Sequence, residues 1–205
     1  DGTLLDTLDD LMDSCNYALS TIGAPPRTRA EIRRFVGNGI RNLMLQAVPD
    51  GADNPKFEQA YETMQTWYKA HNQIKTAPYP GVQRLIRTLK QQGVPMAVVS
   101  NKPDASVQML VEQWFPEITF GLGEREGLRR KPERDMVDYA IAQLGQTGKK
   151  TVYVGDSEVD LTTAANAGLD CISVTWGFRD RALLVERGAK QFADTAEELL
   201  RLIQG

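Results

Sequence analysis

The sequence predicts an α/β protein in which a doubly wound parallel sheet is interrupted near its start by a helical insertion. Three observations carry this. Beyond residue 77 short apolar runs alternate with helical patterns. From about residue 11 to 76 the pattern is helical, with no convincing strand. A Pro/Gly-rich joint, Ala77-Pro78-Tyr79-Pro80-Gly81, separates the two styles.

In the first stretch, Leu8, Leu11, Met12, Cys15, Ala18, Leu19 and Ile22 recur at helical spacing, and Gly23-Ala24-Pro25-Pro26 ends that helix. Arg29 to Val36 and Gly39 to Val48 read as short helices divided by Gly37-Asn38-Gly39. Phe57 to about Gln73 reads as a longer amphipathic helix carrying Tyr61, Met64, Trp67 and Tyr68. Trp67, Tyr68 and Trp114 are expected on helix faces toward the core rather than against a substrate.

After the joint, helix Val82–Gln92 leads to the run Val94–Val99, and helix Asp104–Trp114 to Ile118-Thr119-Phe120. Helix Glu133–Leu144 leads to Thr151–Val154, helix Leu161–Ala167 to Cys171–Val174, and helix Arg181–Arg187 to Gln191-Phe192-Ala193. Five β candidates with intervening helices imply parallel strands joined by right-handed crossovers. The expected division is an α/β core of residues 1–10 and 77–205 with a helical cap of residues 11–76.

Composition narrows the function classes. Of 205 residues, 41% are hydrophobic and 25% charged, ordinary globular usage that predicts a packed core. A net charge of -3 is too balanced for a general polyanion binder, so nucleic acid is disfavoured, although local basic residues can still bind a phosphate. His71 is the only histidine, which excludes any two-imidazole mechanism and argues against a Ser/His triad or a His-rich zinc site. Cys15 and Cys171 stand apart with no metal spacing and read as buried free thiols in a reducing compartment. No apolar run approaches the ~20 residues of a membrane span, so the cytoplasm is the expected location. Asp1-Gly2-Thr3 opens without methionine and with no strand before it, and further residues are expected upstream.

In an open parallel sheet, ligands collect beyond the carboxyl ends of the strands. Ser100-Asn101-Lys102 and Gly155-Asp156-Ser157 fall there, as does Asp1-Gly2-Thr3 if a strand precedes it, with Lys131-Pro132 on a long loop. Asp156 and Asp160, four residues apart with Glu158 between them, suit a hard cation that prefers oxygen ligands. The same residues also suit plain helix capping. Ser100 before Pro103-Asp104 offers a hydroxyl and backbone N–H groups to a phosphate, or an ordinary N-cap. Gly37-Asn38-Gly39 ahead of a helix offers N–H groups to a small anion such as a carboxylate, with helix punctuation as the favoured alternative.

Asp1-Gly2-Thr3-Leu4-Leu5-Asp6 resembles the first motif of the haloacid dehalogenase superfamily, Asp-x-Asp-Gly-Thr-Leu-x-Asp, entered at its second aspartate. Ser100, Lys131-Pro132 and Gly155-Asp156-Ser157-x-x-Asp160 match its second, third and fourth motifs in order. Phe35-Val36-Gly37-Asn38-Gly39 and Trp176-Gly177-Phe178-Arg179 look like the phosphoglycolate phosphatase subgroup. The resemblance implies a Rossmann-like core with an inserted four-helix cap and Mg²⁺-dependent hydrolysis of a small phosphomonoester, phosphoglycolate being the leading substrate. It implies an aspartyl-phosphate whose nucleophile lies two places before Asp1. Asp1 matches the general acid/base and a metal ligand through its carbonyl, Asp156 the metal carboxylate, and Asp160 a direct or water-mediated supporter of the metal. Ser100 and Lys131 match the groups that bind the transferring phosphoryl oxygens. Thr3, Asn101 and Gly37-Asn38-Gly39 are further expected substrate contacts. Asp1 also argues against a dehalogenase, since a halide leaving group needs no acid. Pyrophosphatase, phosphosugar mutase and a non-catalytic phosphate-binding regulator remain alternatives. The expected partner is a small phosphorylated metabolite, with no nucleic acid or membrane, and the expected state is a monomer or homodimer.

Overall fold

The computed structural model describes residues 1–205. The chain divides into two compact units, Asp1–Ala77 and Pro78–Gly205. No helix is long and apolar enough to cross a membrane.

The first unit is helical apart from β1 (Leu5–Asp6), which pairs with β2 (Ala77–Pro78). Helices α1 (Leu8–Thr21), α2 (Arg29–Phe35), α3 (Gly39–Ala47) and α4 (Phe57–His71) lie within two residues of their expected bounds. A 3₁₀ turn at Gly51–Asp53 joins the last two. Leu8, Leu11, Cys15, Ala18 and Leu19 lie on the buried face of α1, which packs on α4, where Phe57, Ala60, Met64 and Tyr68 are buried. Thr28 starts α2 with a reciprocal cap, its hydroxyl accepting from the Glu31 N–H while Glu31 accepts from the Thr28 N–H. Tyr68 joins the core as expected. Trp67 instead stays half-buried, stacked between Tyr17 and His71 at 3.7 and 3.9 Å. One turn of helix separates Trp67 from His71, so their rings can stack along the helix surface.

Asp10 is the polar feature of this unit. Its carboxylate is 2% exposed and accepts from the Lys75 N–H at 2.9 and 3.1 Å, from the Thr76 N–H at 2.8 Å and from the Thr76 hydroxyl at 2.8 Å. It ties the first turn of α1 to the segment that follows α4.

The second unit holds α5 (Val82–Gln91), β3 (Ala97–Pro103), α6 (Asp104–Trp114), β4 (Phe120–Glu124), α7 (Asp135–Gln143) and β5 (Val152–Gly155). They are followed by α8 (Glu158–Ala167), β6 (Asp170–Val174), α9 (Arg181–Glu186), β7 (Gln191–Ala193) and α10 (Ala196–Gln204). Every pairing among β3 to β7 is parallel, as the alternation of strands and helices predicts. The ladder comes in two pieces, β3–β4 and β5–β6–β7. One face of the second piece packs Ile172, Val174 and Ala193 against Leu85 and Leu89 of α5 and Leu199 of α10, while α8 lies against β5 and β6.

β4 starts two residues later than expected and continues through Gly121 and Gly123, a pair that lowers strand propensity. Close packing explains them. A Cβ on Gly123 would lie 2.4 Å from the Asp104 Cα and 2.6 Å from its nitrogen, so α6 can start there only against a bare backbone. α8 begins three residues earlier than expected because Ser157 and Asp160 cap it reciprocally. α10 is not foreseen from the sequence at all, although Thr195, whose hydroxyl accepts from the Glu198 N–H, starts it.

Candidate active site

Apolar residues carry β3 to its polar tip, Ser100-Asn101-Lys102. The register with β4 slips there, between Val99 and Pro103. Such an irregularity turns side chains out of the sheet's alternation and often lies beside a functional site. The Ser100 Oγ accepts from the Lys102 N–H at 3.2 Å, so its own proton is left for another acceptor.

Asn101, expected among the substrate contacts, uses its amide on the Lys131 backbone. Its Nδ2 donates to the Lys131 carbonyl at 3.0 Å and its Oδ1 accepts from the Lys131 N–H at 2.9 Å. That reciprocal pair fixes the backbone of Lys131 against the tip of β3. The Lys131–Pro132 peptide is cis.

From that anchor the Lys131 side chain, 14% exposed, reaches the end of β5. Its Nζ donates to the Asp160 Oδ1 at 2.9 Å and to the Tyr153 hydroxyl at 3.2 Å, and Tyr153 donates to the same Asp160 oxygen at 3.1 Å. Burial alone would lower the Lys131 pKa, but the charge and hydrogen bond of Asp160 outweigh it and raise it above the ordinary lysine value. Asp160 behaves as its mirror: burial pushes the carboxyl up, the lysine charge and the donors around it pull harder, and it sits below the ordinary value. Burial is also the main cause that raises the Tyr153 phenol.

Asp160 uses its other oxygen on the turn after β5. Oδ2 accepts from the Ser157 Oγ at 2.6 Å, the Ser157 N–H at 3.1 Å and the Asp156 N–H at 3.2 Å. The turn closes this tightly because residue 155 is glycine, where a Cβ would lie 2.2 Å from the Asp160 Cβ. Both oxygens of Asp160 therefore hold protein donors. The residue orients Lys131 and the 155–157 backbone, and a direct bond to a metal would have to displace one of those donors.

Asp156 directly follows β5, 3% exposed, with its Oδ2 accepting from the Phe178 N–H at 2.9 Å. Phe178 belongs to the turn after β6, which is held in turn by Arg179. That guanidinium donates to both Glu158 oxygens, at 2.7 and 3.1 Å. Burial tends to raise the Glu158 carboxyl, and the Arg179 hydrogen bonds win and lower it.

In this unit, therefore, Asn101, Lys131, Asp160 and Asp156 lie along one chain of hydrogen bonds, with Ser100 next to Asn101. Asp1, Thr3, Gly37, Asn38 and Gly39 belong to the first unit. Asp1 is exposed and the Gly2 N–H donates to the Leu5 carbonyl at 2.9 Å. Gly37 and Gly39 have φ of 131° and 79°, a region that favours glycine, and Asn38 starts α3 without a side-chain cap bond. Tyr153 looks in the sequence like an ordinary strand aromatic, and Arg179 like part of the Trp176-Gly177-Phe178-Arg179 run; in neither case does spacing announce the contacts they make.

No point in the chain gathers three or more His, Cys, Asp or Glu side chains suited to a metal. The donor present is a hard carboxylate oxygen at a strand end. That fits Mg²⁺, which takes one or two carboxylates and completes its shell with water and phosphate oxygens.

Residues 1–174 match the family model of haloacid dehalogenase-like hydrolases. A phosphoglycolate phosphatase of Pseudomonas putida is 32% identical over 188 residues, covering 87% of this chain and 68% of that protein. Among solved structures, one from Lactobacillus delbrueckii assigned as a phosphoglycolate phosphatase superposes with a TM-score of 0.94 at 39% identity, over 99% of this chain and 95% of that one. Another with the same assignment, from Haemophilus somnus, gives 0.89 at 26% identity over 100% and 95%. The chain belongs to the haloacid dehalogenase-like hydrolases.

Proposed function

We propose that this hydrolase is a Mg²⁺-dependent phosphatase of small phosphomonoesters, with phosphoglycolate as its leading substrate. The observation that carries the reading is the Lys131 ammonium, mostly enclosed yet charged, fixed by Asn101 and Asp160 on the same chain of hydrogen bonds as the buried Asp156. An ammonium has three protons; two serve Asp160 and Tyr153, which leaves one for a phosphoryl oxygen. The Ser100 hydroxyl supplies a second donor. Asp156 holds the cation, and Asp160 supports it from one shell out. When bound, Mg²⁺ neutralises charge on the phosphoryl oxygens, without which a carboxylate could not approach a phosphate dianion.

The attacking carboxylate is proposed two positions ahead of Asp1, with Asp1 protonating the leaving alcohol and then activating water. Residues 1–10 and 77–205 are proposed as the catalytic core and 11–76 as its cap. Thr3 and the Gly37-Asn38-Gly39 segment would contact substrate, the latter receiving a carboxylate. Two free cysteines suit a cytoplasmic enzyme, acting as a monomer or homodimer. The names of the relatives support the substrate; the lysine and its partners support the chemistry.

Asp156→Asn in the intact protein is expected to lower Mg²⁺-dependent kcat/KM by at least about 10²-fold with the fold retained. Full activity in that variant removes the metal assignment. Comparing kcat/KM for phosphoglycolate, pyrophosphate and sugar phosphates then decides among phosphatase, pyrophosphatase and mutase.

A further inference from the structure

The turn after β6 contains a buried guanidinium to which the proposed function gives no task. Arg179 is 7% exposed, although an arginine in a surface turn would ordinarily reach water. Taking its charge out of water is costly unless the pairing geometry is good. Here it is good: Nε and Nη2 meet the two oxygens of Glu158 in a fork, at 2.7 and 3.1 Å. The helix dipole does not explain the placement. Glu158 opens α8, where a carboxylate is favoured and a cation disfavoured.

The neighbours on each side do explain it. Arg179 follows Phe178, whose N–H holds the Asp156 Oδ2, and Glu158 lies two residues beyond Asp156. The turn after β6 and the turn after β5 are thus joined twice, once through the fork and once through Asp156. We infer that Arg179 is the positioning residue of the cation site: its fork on Glu158 fixes the 176–179 turn so that the Phe178 N–H orients the Asp156 carboxylate, and it holds the Glu158 charge in a pair beside that site. The inference rests on the reading of Asp156 as the cation ligand. Without the fork, the turn that carries Phe178 loses its tie to α8, the Phe178 N–H holds Asp156 less firmly, and a half-buried Glu158 carboxylate loses its fork.

The test is Mg²⁺ binding to the intact protein by titration calorimetry without substrate, with melting curves recorded with and without Mg²⁺. Arg179→Met is expected to weaken Mg²⁺ binding by about 10–100-fold, the usual consequence of losing a partner that orients a metal ligand. It should also shrink the Mg²⁺-induced rise in Tm. Arg179→Lys keeps the charge without the fork and should recover only part of the affinity. A folded Arg179→Met protein that binds Mg²⁺ like wild type overturns the inference while Asp156 keeps its assignment. Should that variant fail to fold, Arg179→Lys is judged by the same criterion. Wild-type affinity in Asp156→Asn overturns the cation reading itself, and this inference with it.

Discussion

The two units each bury a carboxylate, and they satisfy it differently. Asp10, 2% exposed, is held entirely by neutral donors, three bonds from backbone N–H groups and one from a hydroxyl. Asp160, 5% exposed, has four neutral donors of the same kinds, in the Asp156 and Ser157 N–H groups and the Ser157 and Tyr153 hydroxyls, and a lysine besides. Asp10 is thus buried with no cation hydrogen-bonded to it, whereas the Asp160 carboxylate has the Lys131 ammonium as well. Asp160 in turn holds Lys131 charged and aimed, while its other oxygen closes the turn after β5.

The comparison breaks first at Lys131. Lys131→Met should reduce kcat/KM by about 10²–10³-fold, since the proposed charged donor to the phosphoryl group is gone. Removing one member of a buried pair ordinarily costs about 3–5 kcal/mol. The other donors around Asp160 should hold the loss to the lower end of that range, as read from urea unfolding. A variant of wild-type activity would deny the lysine its role. Asp10→Ala comes next, with an expected loss of about 1–3 kcal/mol because buried N–H groups of Lys75 and Thr76 lose their acceptor. Wild-type stability there would show that Asp10 ties nothing.

The smallest effect concerns pH. Asp160 lies below its ordinary value of 3.8 in the folded protein, so its pairing stabilises fully above 3.8 and is lost as the pH falls through the depressed folded value. Lys131 lies above 10.5, so its contribution is complete below 10.5 and is lost only as the pH rises through the raised folded value. The stability difference between wild type and Lys131→Met should hence be flat between those limits and narrow below pH 3.8. A gap unchanged at pH 3 would mean the pair contributes little through charge.

Much of the frame was legible because local signals carried it. α6 and β7 have the bounds the sequence predicts, and the tips of β3 and β5 were marked by apolar runs ending in Ser100-Asn101 and Gly155-Asp156. β4 was misplaced because Gly121 and Gly123 speak against a strand locally and are explained only by the helix packed on them. The same limit applies at the site. That Asn101 grips the Lys131 backbone, thirty residues on, or that Arg179 pairs with Glu158, cannot be read from spacing along the chain. Asp160 read as one of two metal carboxylates at helical spacing. In place, its capping bonds occupy one oxygen and its bonds to Lys131 and Tyr153 the other, so the capping alternative is present together with a lysine contact that spacing does not reveal.

The Asp10 tie has a practical corollary. Residues 10 and 75 are 65 apart in sequence and hydrogen-bonded neighbours in space. The segment between them leaves and returns at a single stitched doorway, so its length is not constrained by any span it must bridge. A longer, shorter or unrelated insert could be grafted there without moving the two ends, provided the stitch is kept.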